Sequence, residues 1–449
     1  MKKSLVVFVF VGTLLFTSLG NAQSRSIERL FVSFDQFVQE LEGATFEEFA
    51  HQKAAKVRNE GEFKKMRQHL LSMYQGVDVT HSFALEDQIF DCVPIDQQPS
   101  VRQLGLDKIE LEPPAPTIEV EGDGNEDPGS GIDKATSPLT LGLKDAFGHE
   151  VSCEEGTIPL RRVTLEEMTR FKTLEGFFRK TPWSEGGPLE GSELKKETHK
   201  YAHAYQSVKN YGGNSWLNLW SPAVNTGIGE VFSLSQQWYT GGSGKNLQTV
   251  EGGWQVYPAK YRTSKAALFI YWTADNYKST GCYNLDCAGF VQTNSKWGIG
   301  GTWTSYSTRG GAQWEFQMQW MLYNGRWWLF LQGSGEYEAI GYYPASIFRG
   351  GQLTRFANRV DYGGETVGSS IWPIMGSGAF ATSGPGQAAY QRRIFYLKTP
   401  GIENGGGIWA DLKATQPSPK CYTLRYTPNS QAGSWGTFFY FGGPGGKSC

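Results

Sequence analysis

Beyond residue 200 the chain consists of short aromatic-rich runs broken by turn residues, a pattern that confines this part to all-β architectures. Trp216-Leu217-Asn218-Leu219-Trp220 and the runs 266–271, 314–322 and 327–331 are rich in aromatic and other apolar residues. Clusters of Gly, Asn, Ser and Pro punctuate them at the spacing of an antiparallel sandwich or barrel. No long helical periodicity interrupts the series. No fixed-period repeat is present either, which disfavours a propeller.

The first 200 residues read differently. Lys2 and Lys3, an apolar run over 5–16 and the small residues before Gly20-Asn21-Ala22 form a signal peptide, with cleavage expected after Ala22. The apolar run is short for a membrane span of about 20 residues, so no membrane association is expected once it is removed. Over 27–75, Leu30, Phe34, Phe37 and Leu41 recur at helical spacing. Thr45 and Glu48 form a capping box that opens a second helix. Helix-compatible residues continue through Met66 and Leu70 to Met73. The stretch 109–138, with five prolines and many Asp, Glu and Gly, is expected to be an exposed, disordered acidic linker. A second loop-like stretch, 181–197, is the candidate processing site. The expected organisation is therefore a signal peptide (1–22), an α-containing (α+β) propeptide (23–196) and an all-β domain (197–449).

Composition reinforces the division. Of 15 Trp, 14 lie between Trp216 and Trp435, while all six His lie at or before His203. Residues 201–449 carry 19 Lys or Arg against 11 Asp or Glu, near +8, and the remainder is near −10. Opposite charges on two parts of one precursor favour their association. The six cysteines, Cys92, Cys153, Cys282, Cys287, Cys421 and Cys449, read as disulfides in an exported chain. Proximity suggests Cys282 with Cys287, Cys421 with Cys449, and hence Cys92 with Cys153, although sequence alone leaves other pairings open. Metal ligation is the rival for Cys282 and Cys287. No His lies nearby and zinc spacing is absent, so no metal is expected.

The scarcity of histidine narrows the chemistry. A Ser-His-Asp or Cys-His site needs an imidazole base, and nothing beyond His203 supplies one. No phosphate loop or dinucleotide fingerprint stands in its proper context, so neither a nucleotide cofactor nor a nucleic-acid partner is expected. Carboxylates remain as the acid and base. On a strand, Val250, Trp254 and Val256 share one face, while Glu251, Gln255 and Tyr257 share the other. The first face suits a core and the second suits a cleft. Glu365 follows Gly363 and Gly364, which allow close approach of backbone or substrate. Gln236 and Trp238 alternate onto one face and are, with Tyr257, candidate cleft-lining residues.

Several separate stretches resemble the neprosin family of secreted glutamic peptidases, in order. Phe90-Asp91-Cys92-Val93-Pro94-Ile95 with Gln97-Gln98-Pro99-Ser100, and Gly156-Thr157-Ile158-Pro159-Leu160-Arg161-Arg162, are similar to two blocks of its propeptide. Phe232-Ser233-Leu234-Ser235-Gln236-Gln237-Trp238 and the run 250–258 are similar to consecutive segments of its catalytic domain. So are Thr280-Gly281-Cys282-Tyr283-Asn284-Leu285-Asp286-Cys287, Ile340-Gly341-Tyr342-Tyr343-Pro344 and Tyr362-Gly363-Gly364-Glu365. The resemblance implies an antiparallel β-sandwich with a substrate cleft, a catalytic pair at Glu251 and Glu365, and cleavage after proline. Gly253 stands where the family often has Ala, and Tyr343 and Tyr362 where it often has Trp. Those changes bear most directly on the proline preference.

The expected function is thus a secreted, acid-active glutamic endopeptidase made as a zymogen. It acts on protein or peptide substrates without a cofactor, and its own propeptide is an intramolecular partner. The rival is a secreted carbohydrate-active or carbohydrate-binding β-sandwich, since aromatic residues stack on sugars and carboxylate pairs also serve glycosidases.

Overall fold

A computed structural model describes residues 31–116, 120, 132–180, 198–401, 406–431, 435–447 and 449. The expected signal peptide, Leu30 and the candidate processing stretch 181–197 lie outside the described residues, as does most of the centre of the acidic linker.

Three helices come first among the described residues: α1 (Phe34–Gly43), α2 (Phe46–Ala50) and α3 (Glu60–Tyr74). Each start is set by a side chain that accepts from an otherwise unpaired amide. Ser33 accepts from Gln36 N and Asn59 from Glu62 N, and Glu48 reaches back to Thr45 N at 3.0 Å. The helical pattern breaks over 51–59, so 27–75 is not continuous helix. Phe63, Met66, Leu70 and Met73 of α3 are all at most 1% exposed, as their helical spacing requires. They pack beside a three-stranded sheet of β1 (His81–Leu85), β2 (Gln88–Pro94) and, later in the chain, Thr157–Arg161. The disulfide Cys92–Cys153 ties this α+β unit together.

The remaining strands follow in chain order. They are β3 (Asp133–Lys134), β4 (Thr157–Arg161), β5 (Thr198–Asn210), β6 (Gly212–Asn218), β7 (Glu230–Gly241), β8 (Gln248–Val256), β9 (Ala267–Thr273), β10 (Val291–Gln292) and β11 (Trp314–Tyr323). Then come β12 (Arg326–Gln332), β13 (Glu338–Pro344), β14 (Ala357–Gly368), β15 (Ala389–Leu397), β16 (Gly407–Trp409), β17 (Lys413–Thr415), β18 (Thr423–Thr427) and β19 (Phe438–Gly442). They form a six-stranded sheet ordered β17-β5-β14-β7-β8-β9 and a ten-stranded sheet. The main path of the latter is β10-β13-β12-β11-β6-β15-β19-β18, with β16 beside β15 and β3 beside β11. All ladders but the short β3–β11 pair are antiparallel.

The two sheets pack as a sandwich. Val250, Trp254 and Val256 of β8 share one buried cluster with Phe316, Met318 and Trp320 of β11. Burying one such large side chain stabilises the fold by about 1.5–3 kcal/mol. Several buried polar groups within the sandwich are paired across the sheets. Trp254 Nε1 donates to Asn218 O at 2.9 Å, and Gln237 Nε2 donates to Met318 O and Ser215 Oγ, both at 2.8 Å. Cys282–Cys287 closes the loop after β9, and Cys421–Cys449 holds the C-terminus.

The N-terminal region grips the sandwich on two sides. Gln98 donates to Gln292 O at 2.9 Å and accepts from Gln292 N at 2.8 Å. Gln88 makes the same kind of amide clasp on Gly300 O and Thr302 N. The described parts of 109–138 depart from the expected disordered linker. Asp133 N and Ala135 N donate to Gln313 O and Glu315 O, extending the ten-stranded sheet. Lys134 pairs with the buried Glu315 and lies over Trp216, 4.2 Å from the ring centre. Val120 bridges to Gly407, and Glu110 N donates to Tyr342 OH. The physical reason is that strand addition and aromatic surface on the sheet's outer face supply the partners that the segment's own composition lacks. Among the described residues no helix is long and apolar enough to cross a membrane.

Candidate active site

The site lies on the outer face of the six-stranded sheet, with β7 at its centre. Pairing places Gln236 of β7 directly opposite Gly253 on one side and Gly363 on the other. Glu251 is opposite Trp238, and Glu365 is opposite Leu234. Each glutamate is therefore a diagonal neighbour of Gln236, from opposite directions. The two glycines leave the flanks of Gln236 without side chains, so both carboxylates lean in over it. A Cβ at Gly253 would meet Ser235 O at 2.0 Å, and Gly363 has φ +151°. Of the three positions where the chain departs from its resemblance, only Gly253 borders the site. Tyr343 stacks on Trp320 in the core, and Tyr362 OH points to Phe395 O between the sheets. Strand alternation turns both tyrosines inward, into the core.

The carboxylates meet on a group that the sequence did not single out. Lys180, 3% exposed, places its Nζ 2.5 Å from Glu251 Oε2 and 2.9 Å from Glu365 Oε2. The same ammonium donates to Gln236 Oε1 at 3.0 Å and lies 5.5 Å from the centre of the Trp238 ring. Gln236 Nε2 in turn donates to Glu365 Oε2 at 3.1 Å. Burial works against the Lys180 charge, but the carboxylates outweigh it and raise the ammonium above the usual lysine range. For Glu365, burial alone would raise the pKa. The Lys180 charge and then the His199 hydrogen bond outweigh it and bring it down to about 2.

Glu251 and Glu365 differ in their remaining partners. Glu251 Oε1 accepts from Thr249 Oγ1 at 2.7 Å and from Tyr277 OH at 2.6 Å. Burial, then the Glu251 charge, pushes the Tyr277 phenol well above its ordinary value, which keeps it a donor. Glu365 Oε1 instead bonds to His199 Nδ1. Histidine was discounted because the sequence has none beyond His203. Antiparallel pairing of β5 with β14 nonetheless sets His199 opposite Val367 and His203 opposite Gly363, so imidazoles do reach this face. The signal available in sequence was their spacing: His199, Tyr201 and His203 alternate onto one side of a strand.

Trp238, Tyr201, His203 and Asp361 line a cavity of about 200 Å³ beside the pair. His203 Nδ1 lies 2.6 Å from Asp361 Oδ1, and Arg359 holds the other oxygen at 2.6 Å. Tyr257 sits further along, its ring packed on Phe171 of the N-terminal region and on Phe232. The structure thus gathers Glu251, Glu365, Gln236 and Trp238 around one ammonium, and sets Tyr257 beneath the covering segment.

Comparison with solved structures finds distant likenesses to several chains, among them two peptidases. The scytalido-glutamic peptidase bound to a transition-state analog inhibitor matches with TM-score 0.32 and 10% identity, over 55% of this chain and 99% of that one. SCP-B, a member of the eqolisin family in complex with the tripeptide Ala-Ile-His, matches with TM-score 0.31 and 9% identity over the same shares. Likenesses this loose carry no residue across. The family comparison is more direct, for residues 229–444 match the family described as Neprosin, spanning the strands that bear Gln236, Trp238, Glu251 and Glu365. The match to the Neprosin family thus covers residues 229–444, the larger part of the β-sandwich.

Proposed function

We propose that the chain is the latent precursor of a secreted glutamic endopeptidase that works in acid and cuts after proline. The observation that carries this reading is the convergence of two buried carboxylates, Glu251 and Glu365, on the single ammonium of Lys180. Two carboxyl groups facing one site cannot both ionise easily without a cation between them. In the precursor Lys180 is that cation. In its absence a water molecule fits the same chemistry. One carboxylate takes a proton from the water as its oxygen attacks the peptide carbonyl, and the other, protonated, donates to the leaving nitrogen. Gln236, bonded to Glu365, has an amide poised to help orient the reacting groups. The expected proline preference and the signal peptide rest on the sequence resemblance and the N-terminal pattern.

The same geometry supports a latent state. Lys180 ends the described part of the N-terminal region and neutralises the groups that chemistry would require. Phe171 and Phe177 of the same stretch pack over Tyr257 and Lys260. A sugar-binding protein has no use for a lysine buried between two glutamates, which disfavours the carbohydrate reading. The test is to purify the secreted full chain, incubate it at acid and neutral pH, and follow its mass and its hydrolysis of proline-containing peptides. Acid-dependent truncation with peptide cleavage supports the proposal. A full-length chain that is inert on peptides across the pH range sinks it.

A further inference from the structure

We infer that His199 is the positioning residue that fixes which carboxylate of the pair carries the negative charge, keeping it on Glu365. The inference rests on the peptidase reading and deepens it, by assigning unequal roles to the two glutamates.

The argument starts from what each carboxylate keeps if Lys180 is withdrawn. Glu365 keeps His199 on Oε1 and the Gln236 amide on Oε2. Glu251 keeps the hydroxyls of Thr249 and Tyr277. One glutamate therefore retains an imidazole partner, and the other retains hydroxyl donors alone. A hydrogen bond from a protonated imidazole to a carboxylate is charge-assisted and favours the ionised form. Imidazoles carry a proton in the acid range where an ordinary carboxyl group is half neutral. The arrangement thus separates the two glutamates under the conditions in which the enzyme is proposed to work.

The imidazole is held for this task. Its ring stacks on Tyr201, at 6.1 Å between centres and 14° between planes, and meets Phe232 edge-on at 6.2 Å. His199 belongs to β5, the strand next to Glu365, and is not part of the segment that delivers Lys180. The other charged or titratable groups facing the pair are few. Tyr201 also hydrogen-bonds Glu365, and its phenol is pushed well above the ordinary range by burial and then by the two glutamate charges. Tyr277 faces Glu251, and Lys180 faces both. His203, Asp361 and Arg359 form their own ion cluster one step along the sheet. Among the described residues of this sheet, His199 is the basic side chain in direct contact with Glu365.

The step then balances with named roles. The water oxygen bonds to the peptide carbon and its proton passes to the Glu365 carboxylate. The C–N bond breaks, its electron pair stays on nitrogen, and the proton on Glu251 goes to that nitrogen. Transfer of the proton from Glu365 to Glu251 restores the starting state.

The experiment uses acid-activated wild type, His199→Asn and His199→Phe. The pH dependence of kcat/KM is measured on one proline-containing peptide, with circular dichroism as the check on folding. Asn keeps a neutral donor near the position of Nδ1, and Phe keeps only ring bulk. The low-pH limb, set by Glu365, is expected to move up by about 1–3 units in both variants. The high-pH limb stays in place, and kcat falls with little change in KM. Unmoved low-pH limbs in folded variants would overturn the inference, as would an equal shift of both limbs. A substrate-free measurement separates this from failure of the peptidase reading. Carboxyl carbon NMR titration of the full chain carrying Lys180→Met, with and without His199→Asn, reads the two glutamates directly. An upward shift of Glu365 on losing His199 supports the charge assignment even if no peptide is cut. No shift overturns it even if peptides are cut.

Discussion

Lys180 Nζ and Glu365 Oε2 lie 2.9 Å apart in a setting where neither is more than 4% exposed. With Lys180 and His199 beside it, Glu365 is displaced from an ordinary 4.5 to about 2. A depressed carboxyl contributes its stabilisation fully above the ordinary value and loses it as pH falls through the folded one. The contact that holds Lys180 in place is therefore intact at pH 4.5 and fails near 2. Cutting of the full chain by an added acid-stable protease should accordingly be slow at mildly acid pH and fast only in strong acid. Lys180→Met should move the midpoint upward by about 1 unit or more. Processing rate against pH, followed on gels, decides it, and a midpoint unchanged by the substitution contradicts the account.

The two glutamates should be individually indispensable. Glu251→Gln and Glu365→Gln preserve shape and hydrogen-bonding capacity while removing an acid or base, so each is expected to lower kcat by about 100-fold or more. Hydrolysis of a proline-containing peptide in acid, beside circular dichroism, measures this. Turnover near the wild-type rate in either variant would take that residue out of the mechanism.

Gln98 is expected to report on docking of the N-terminal region. Its fully buried amide satisfies both backbone groups of Gln292. Gln98→Ala strands those groups and should destabilise the full chain by about 1–3 kcal/mol. Chemical denaturation measures the loss. A midpoint equal to wild type would mean that the clasp adds nothing.

Asp286 should matter more. It pairs at 2.8 Å with Lys260, whose Nζ is fully buried over the Phe177 ring. Burial holds the Lys260 pKa below the usual lysine range, and the Asp286 charge opposes that shift. Asp286→Asn leaves a buried cation without its partner, a change that costs about 3–5 kcal/mol. Thermal unfolding of the full chain reads this out, and wild-type stability would refute it.

The sandwich was legible because period-two alternation with aromatic punctuation is imposed by burial itself. Val250, Trp254 and Val256 had to face one way, and Glu251 therefore faced the other. Glu251 and Glu365 were legible as a pair through the resemblance, whereas their convergence over Gln236 depends on strand order, which alternation does not encode. Lys180 was illegible for a related reason. It sits in a short, turn-rich stretch with no periodicity, and its partners are 56 residues or more away. His199 was passed over because counting histidines says nothing of which strand pairs with which. The described ends of the 109–138 segment were misread because composition gauges only what a segment can bury on itself, not what a neighbouring sheet offers it.

The hold of the N-terminal region on both faces of the sandwich has a consequence for the order of molecular events. Asp133 and Lys134 extend the ten-stranded sheet while Lys180 occupies the opposite face. Severing the chain between 180 and 198 would break one covalent link but none of these contacts. The inhibitor would then be a separate molecule held by mass action. Its effective concentration would drop from the millimolar range typical of a short tether to that of the solution. Onset of activity would follow dilution and the lifetime of that complex, so a concentrated solution could be fully cut and still silent until it is diluted.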